Sequence, residues 1–209
     1  DEYTLDAAVK AMVRGWPGAV EAALIAHEEP RRAAAIAARY AEAFPLSYRS
    51  AHGPDEAATD IASLRRLGTE STRGARLVLP AAGAGTADPA RLHLKLYQHT
   101  GALELSDAVP MLENFGFRVA GEDATLLEGG ALGAIHDFAL ELPDGVAAAD
   151  LFARAQQIDA AIAAVLNGAA EDDAFNRLIM TTGLAAHEAN WLRAWYRYLR
   201  QATLHYGIG

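Results

Sequence analysis

The 209-residue chain contains no cysteine, which excludes disulfides, thiolate catalysis and cysteine-ligated zinc or iron–sulfur centres. It has no apolar run approaching the roughly 20 residues that span a bilayer. It also lacks a basic patch: the formal charge of −9 is spread as −3 over residues 1–70, −5 over 71–145 and −1 over 146–209. Nucleic acid and anionic membrane are therefore poor partners. The opening residues, DEYTLDAAVK, have neither an initiator methionine nor a charged-then-apolar signal pattern, and read as a cut from a longer chain. With 52% hydrophobic and 22% charged residues the composition is that of a soluble globular protein, and a cytoplasmic location is expected.

Catalytic and cofactor motifs are missing as well. There is no Gly-x-Ser-x-Gly elbow and no Gly-x-x-x-x-Gly-Lys phosphate cradle. Gly83 and Gly85 lie in PAAGAGTADPA (residues 80–90), but three spaced glycines between a strand and a helix are not found there, so the stretch reads as a loop or hairpin tip. His27-Glu28-Glu29 and His187-Glu188 each lack a second histidine at helical zinc spacing. His93 and His99 fall with Lys95 and Tyr97 on what reads as a solvated strand face. His136 and Asp137 are strand neighbours pointing to opposite faces, so they cannot form a relay directly. Glu171-Asp172-Asp173 is accounted for as a helix start. No catalytic, cofactor-binding or metal residue is assigned.

What is present is organised around LELSDAVPMLENFGF, Leu103–Phe117. Ser106 is the expected N-cap of a helix, Asp107 places negative charge at its positive end, and Gly116 ends it. Leu105, Val109, Leu112 and Phe115 form its apolar side, with Pro110 late in the first turn. Arg91–Tyr97 alternates as a half-buried strand. A second strand follows through Phe117 and Val119, and after Gly129, Gly130 and Gly133 a third runs over Ala134–Leu142. This is most of a ferredoxin-like βαββαβ unit, with the missing edge strand expected upstream at Arg76–Leu79.

Helices are expected on both sides. Leu5–Arg14 is closed by Gly15; Pro17 opens a helix to about His27, Pro30 another through Ala43, and Pro54 a fourth with the stripe Ala57, Ala58, Ile61, Leu64 and Leu67. Phe44-Pro45 ends the third, because a residue before proline is pushed out of the helical region. Downstream, Leu151, Ala155, Ile158, Ile162 and Val165 trace one helix to Asn167-Gly168. Another runs from the acidic cluster to Gly183. The last carries Leu184, Trp191, Trp195 and Tyr198 as a docking or core stripe, broadened by Leu192 and Leu199, with Arg193, Arg197 and Arg200 in its C-terminal half.

Four stretches carry a family resemblance: Phe44-Pro45 with Tyr48, Ala57, Asp60 and Ile61; LSDAVPMLENFGFRV at Leu105–Val119; Ile135-His136-Asp137-Phe138; and DAFNRLIMTTGL at Asp173–Leu184, continuing into LRAWYRYLRQ at Leu192–Gln201. In these the chain resembles an internal, non-catalytic segment of the large bacterial NAD-dependent glutamate dehydrogenases. The resemblance implies an α+β fold: an ACT-like ferredoxin module at 71–146, with helical segments at 1–70 and 147–209. It implies a parent that converts L-glutamate and NAD to 2-oxoglutarate, ammonia and NADH, with NAD bound outside these residues. The parent's catalytic lysines have no counterpart here. The implied role is regulation and assembly, with other domains and subunits of the parent as partners and a homo-oligomer as the expected state. The alternative is an amino-acid-binding sensor. Gly101, Ser106 and Asp107 are its candidate effector or interface residues, because they occupy the turn between the first strand and the helix, where ACT modules bind amino acids.

Overall fold

The computed structural model describes residues 15–78, 92–142 and 145–202. The predicted helix at Leu5–Arg14 and the predicted loop at residues 80–90 lie outside them. The fold is α+β, as expected. Strands β1 (Arg73–Val78), β2 (Leu92–Gln98), β3 (Arg118–Leu127) and β4 (Gly133–Glu141) form one antiparallel sheet in the order β1-β2-β4-β3. Helix α5 (Leu105–Asn114) links β2 to β3, and β4 returns between them. The upstream strand takes the edge place beside β2, starting three residues earlier than predicted.

The described chain divides into two compact units. One takes the residues up to Arg73 with Tyr97–Leu103 and Asp123–His136; the other takes Gly74–Leu96, Glu104–Glu122 and the residues from Asp137 onward.

In the first unit, helical residues 15–25 (α1) are followed by α2 (Pro30–Tyr40), a 3-10 turn (Ala41–Ala43), α3 (Leu46–Ala51) and α4 (Pro54–Arg65). Pro30 and Pro54 open their helices where an N–H would have no partner anyway. Phe44 is extended (φ −71°, ψ 127°) ahead of Pro45 and separates the 3-10 turn from α3, a short helix the sequence did not signal. Val20, Leu24, Ile36, Phe44, Tyr48, Ile61 and Leu64 form the core with Tyr97, Leu127 and Ile135 from the strands. The Trp16 indole N–H donates to the Ala41 carbonyl at 2.8 Å, and its ring meets Phe44 and Tyr48 edge-on.

The second unit holds α5, α6 (Ala148–Ala153), α7 (Ala155–Leu166), α8 (Asn176–Thr182) and α9 (Ala186–Gln201). Leu92, Leu94 and Leu96 are buried, as are Phe138 and Leu140. On α5 the buried residues are Ala108, Met111 and Leu112, with Phe115 beyond its end, whereas Leu105 is exposed. Of the predicted stripe, Leu112 and Phe115 are thus buried and Val109 is half-buried, while Leu105 sits at the first helical position and is left outside, and Pro110 lies inside the helix rather than in its first turn. The single helix predicted over residues 151–165 breaks at Arg154 (φ −118°, ψ 15°). Its guanidinium donates to the carbonyls of Ile179 (2.8 Å) and Met180 (3.1 Å) near the end of α8, and Gly183 closes α8 in the left-handed region at φ 76°.

Edge strand β1 is fastened by a carboxylate: the Leu77 N–H donates to Asp159 of α7 at 2.8 Å. Burial pushes Asp159 up from an ordinary 3.8 to about 6, against the opposing pull of that hydrogen bond and of Arg76. A carboxyl whose folded-state value is raised stabilises the fold below its unfolded value, and that contribution is lost as pH rises through about 6. The gap corresponds to about 3 kcal/mol, reduced to about 1–2 kcal/mol by solvent at this partly exposed group. Asp159→Asn, which keeps an acceptor for Leu77, is therefore expected to exceed the unsubstituted chain in stability by about 1–2 kcal/mol at pH 7.5 and to match it at pH 4. Urea unfolding at the two pH values checks this; a difference independent of pH counts against it.

Candidate functional site

The three residues singled out in the sequence are Gly101 in the first unit and Ser106 and Asp107 in the second. Gly101 is left-handed (φ 74°), and its N–H donates to the Gly130 carbonyl at 3.1 Å. The Leu103 N–H donates to Nε2 of buried His136 at 3.1 Å, and the Gln98 amide donates to the carbonyls of Thr100 (2.9 Å) and Ala102 (3.1 Å). The N–H groups of Gly101 and Leu103 are thus both engaged within the protein.

Ser106 is not the N-cap. Glu104 holds that place in extended conformation (φ −77°, ψ 126°), its carbonyl accepting from the N–H groups of Asp107 and Ala108. No side chain caps the helix, because its first turn begins one residue before the serine. Ser106 and Asp107 are both exposed, with Asp107 adding negative charge to the first turn as expected.

The strand face read as solvated is covered. Lys95 and Tyr97 are only 1% and 2% exposed, and His93 is half-buried, leaving His99 exposed. In the first unit the Tyr97 hydroxyl donates to Asp60 Oδ1 at 2.7 Å and the Tyr48 hydroxyl to Oδ2 at 2.6 Å, with Asp60 fully buried. Burial first, and then the Asp60 carboxylate, push the Tyr48 hydroxyl far above its ordinary value of 10, so it remains a donor. The signal for this cluster was an aspartate inside the apolar stripe of α4. In the second unit His93 Nδ1 pairs with Asp137 at 2.8 Å. His136 and Asp137 thus have separate partners, as their opposite directions required.

The acidic cluster has structural partners. Asp172 accepts from Asn114 at 3.0 Å, Glu171 pairs with exposed Arg197, and Asp173 takes Nε and Nη2 of buried Arg193 at 2.6 and 2.7 Å. Burial pushes Asp173 up, but the hydrogen bonds and charge of Arg193 outweigh it and hold the carboxyl below its ordinary range. Arg193 also reaches Asn176 at 3.1 Å and Asn190. It therefore serves as the polar pin between α8 and α9 rather than as a dipole charge on the surface. An open cleft of about 290 Å³ lies beside Glu171, Asn190, Arg193 and Arg197, with both guanidiniums already paired to carboxylates.

Around this pin α9 turns Ala189 and Arg193 inward. Its aromatic residues face solvent: Trp191 is 67% exposed, Trp195 63%, Tyr198 63%, and Leu192 43%. Among the described residues no group of three histidine or acidic side chains is placed to hold a metal, and no helix is long and apolar enough to cross a membrane.

Three family models match in sequence: glutamate dehydrogenase helical motif 2 over residues 23–67, the glutamate dehydrogenase ACT3 domain over 78–154, and helical motif 3 over 170–207. Among similar proteins, the NAD-specific glutamate dehydrogenase of Pseudomonas aeruginosa is 31% identical over all of this chain and 13% of its own length. Those of Halomonas elongata and Mycobacterium tuberculosis are 36% and 31% identical over 79% and 82% of this chain, each over 10% of its own length. The chain therefore spans only about a tenth to an eighth of the relatives it matches. With an ACT3 domain between helical motifs 2 and 3, it belongs to the glutamate dehydrogenase family as a segment of the large NAD-specific type.

Proposed function

We propose that this chain is a regulatory and assembly segment of an NAD-specific glutamate dehydrogenase, and that it holds domains or subunits together without carrying the chemistry itself. The reaction it serves is oxidation of L-glutamate by NAD to 2-oxoglutarate, ammonia and NADH, with NAD bound elsewhere in the parent. The observation that carries the reading is the aromatic face of α9. A domain working alone gains nothing from displaying two tryptophans and a tyrosine on one side of a helix, whereas a segment built into a larger body covers them. In this reading a helical segment at 1–70 precedes the ACT-like module at 71–146, and a helical segment at 147–209 packs on or follows its sheet.

The sensor reading is weaker here because the Gly101 turn is closed on its own chain through Gly130 and His136. Calorimetric titration with glutamate, aspartate, other amino acids and NAD is expected to give no saturable heat. Heat with one amino acid, lost in Ser106→Ala or Asp107→Ala, would move the assignment to a sensor, and heat with NAD would overturn the placement of the nucleotide site. In the parent protein, Trp191→Glu with Trp195→Glu is expected to weaken assembly, seen by sedimentation. Unchanged assembly would overturn the reading.

A further inference from the structure

The α9 face has a definable occupant. Trp191, Trp195 and Tyr198 are spaced by four and three residues and so form one stripe along the helix, opposite the inward-facing Ala189 and Arg193. The charges of this helix are directed away from the stripe. Arg193 is buried on Asp173, Arg197 pairs with Glu171, the Arg200 guanidinium lies 5.8 Å from the Tyr196 ring, and Glu188 turns back to the Ala185 N–H at 2.7 Å. What is left is a nearly uncharged aromatic ridge bordered by Leu192.

We propose that this ridge packs against the same ridge of a second copy of the chain, the two α9 helices running antiparallel about a two-fold axis near Trp195. This rests on the assembly reading above and names its partner. In that arrangement Trp195 meets its own copy and Trp191 faces the partner copy's Tyr198, so each ring finds an aromatic neighbour. Antiparallel alignment sets each helix's positive end beside the other's negative end. Self-pairing brings no like charges together, because the stripe carries none. The exposed parts of the four side chains amount to roughly 500–600 Å² per copy, taking about 150–250 Å² for an aromatic side chain. A standard interface takes about 800 Å² per partner, so the ridge supplies its apolar centre, and flanking residues such as His187 and Leu199 supply the rim.

The chain contains three tryptophans. Trp16 is half-buried and bonded to Ala41 in the first unit, while Trp191 and Trp195 both lie on the ridge, so a change in emission on association reports on the ridge. Sedimentation equilibrium of the 209-residue chain from 1 μM to 1 mM should show the mass doubling from 22.2 kDa, with tryptophan emission shifting to the blue at the same midpoint. Trp195→Glu should weaken the dimer at least 100-fold while leaving the circular dichroism and thermal midpoint unchanged, since the side chain is exposed. Trp191→Glu gives a second variant with the same expected result. A monomer at 1 mM, a dimer without an emission shift, or a dimer of unchanged affinity in both variants would overturn the proposal. If the isolated chain stays monomeric while the parent's assembly still fails in Trp191→Glu with Trp195→Glu, the ridge is covered by another part of the parent. The second-copy proposal then falls and the assembly reading stands.

Discussion

Asp60→Ala is expected to lower the unfolding free energy by about 3–5 kcal/mol, a large share of the roughly 5–15 kcal/mol available to a domain. The substitution removes a fully buried carboxylate that accepts hydroxyls from Tyr48 on α3 and Tyr97 on β2. Each phenol left without its acceptor costs about 1–3 kcal/mol, and the lost volume adds to this. Tyr97→Phe keeps the ring and deletes one bond, so about 1–2 kcal/mol is expected from it. Replacing all three together, Tyr48→Phe, Asp60→Leu and Tyr97→Phe, should recover most of the loss, since an apolar cluster has no polar groups to satisfy. Urea unfolding of the four proteins checks this order. A loss below 1 kcal/mol for Asp60→Ala would show that the cluster does not hold the first unit together.

Gly133→Ala is expected to lower the thermal midpoint by about 5–15 °C, corresponding to about 2–4 kcal/mol for a chain of this length. Gly133 opens β4 at φ 113°, a conformation that side chains rarely adopt. A Cβ there would stand 2.8 Å from Leu64 Cδ2 and 2.9 Å from the Gln98 carbonyl oxygen. The leucine methyl can swing aside, but the carbonyl belongs to the backbone of β2 and cannot. Gly129 provides the control: it too is left-handed (φ 63°), but a Cβ meets nothing within 4 Å. Gly129→Ala should therefore cost only the conformational term, about 1 kcal/mol and roughly 2–4 °C. Equal midpoints for the two variants would refute the close approach at Gly133.

Much of the fold was legible because local chemistry dictates it. Pro30 and Pro54 open helices, Phe44-Pro45 closes one, and the alternation of Leu92, Leu94 and Leu96 marks a strand wherever it is placed. The edge strand could be expected because a ferredoxin-like sheet lacked one strand and a short β-branched and aliphatic run lay upstream. Burial of polar residues was not legible. Lys95 and Tyr97 alternate with leucines exactly as solvent-facing residues do, and only a buried acceptor such as Asp60, 37 residues before Tyr97, changes where that tyrosine sits. Arg193 misled in the same way: helical position predicts a dipole charge, whereas Asp173 and Asn176 make an interior place for it. The aromatic stripe of α9 was legible as a stripe, but periodicity gives a face without saying whether it is covered. The capping role expected of Ser106 was missed by one residue, since a helix beginning at Leu105 moves Ser106 from the cap into the first turn.

The origin of β1 bears on where this module can be divided. The ACT3 match begins at residue 78, the last residue of that strand. A truncation made at the family boundary would therefore discard the edge strand and strip β2 of its neighbour, leaving a row of bare backbone donors and acceptors that invites strand addition from another molecule. Asp159 would be left with no Leu77 N–H to bind. Heredity and hydrogen bonding draw the line in different places here: the recurring unit starts at Val78, whereas the smallest piece with a closed sheet starts no later than Arg73.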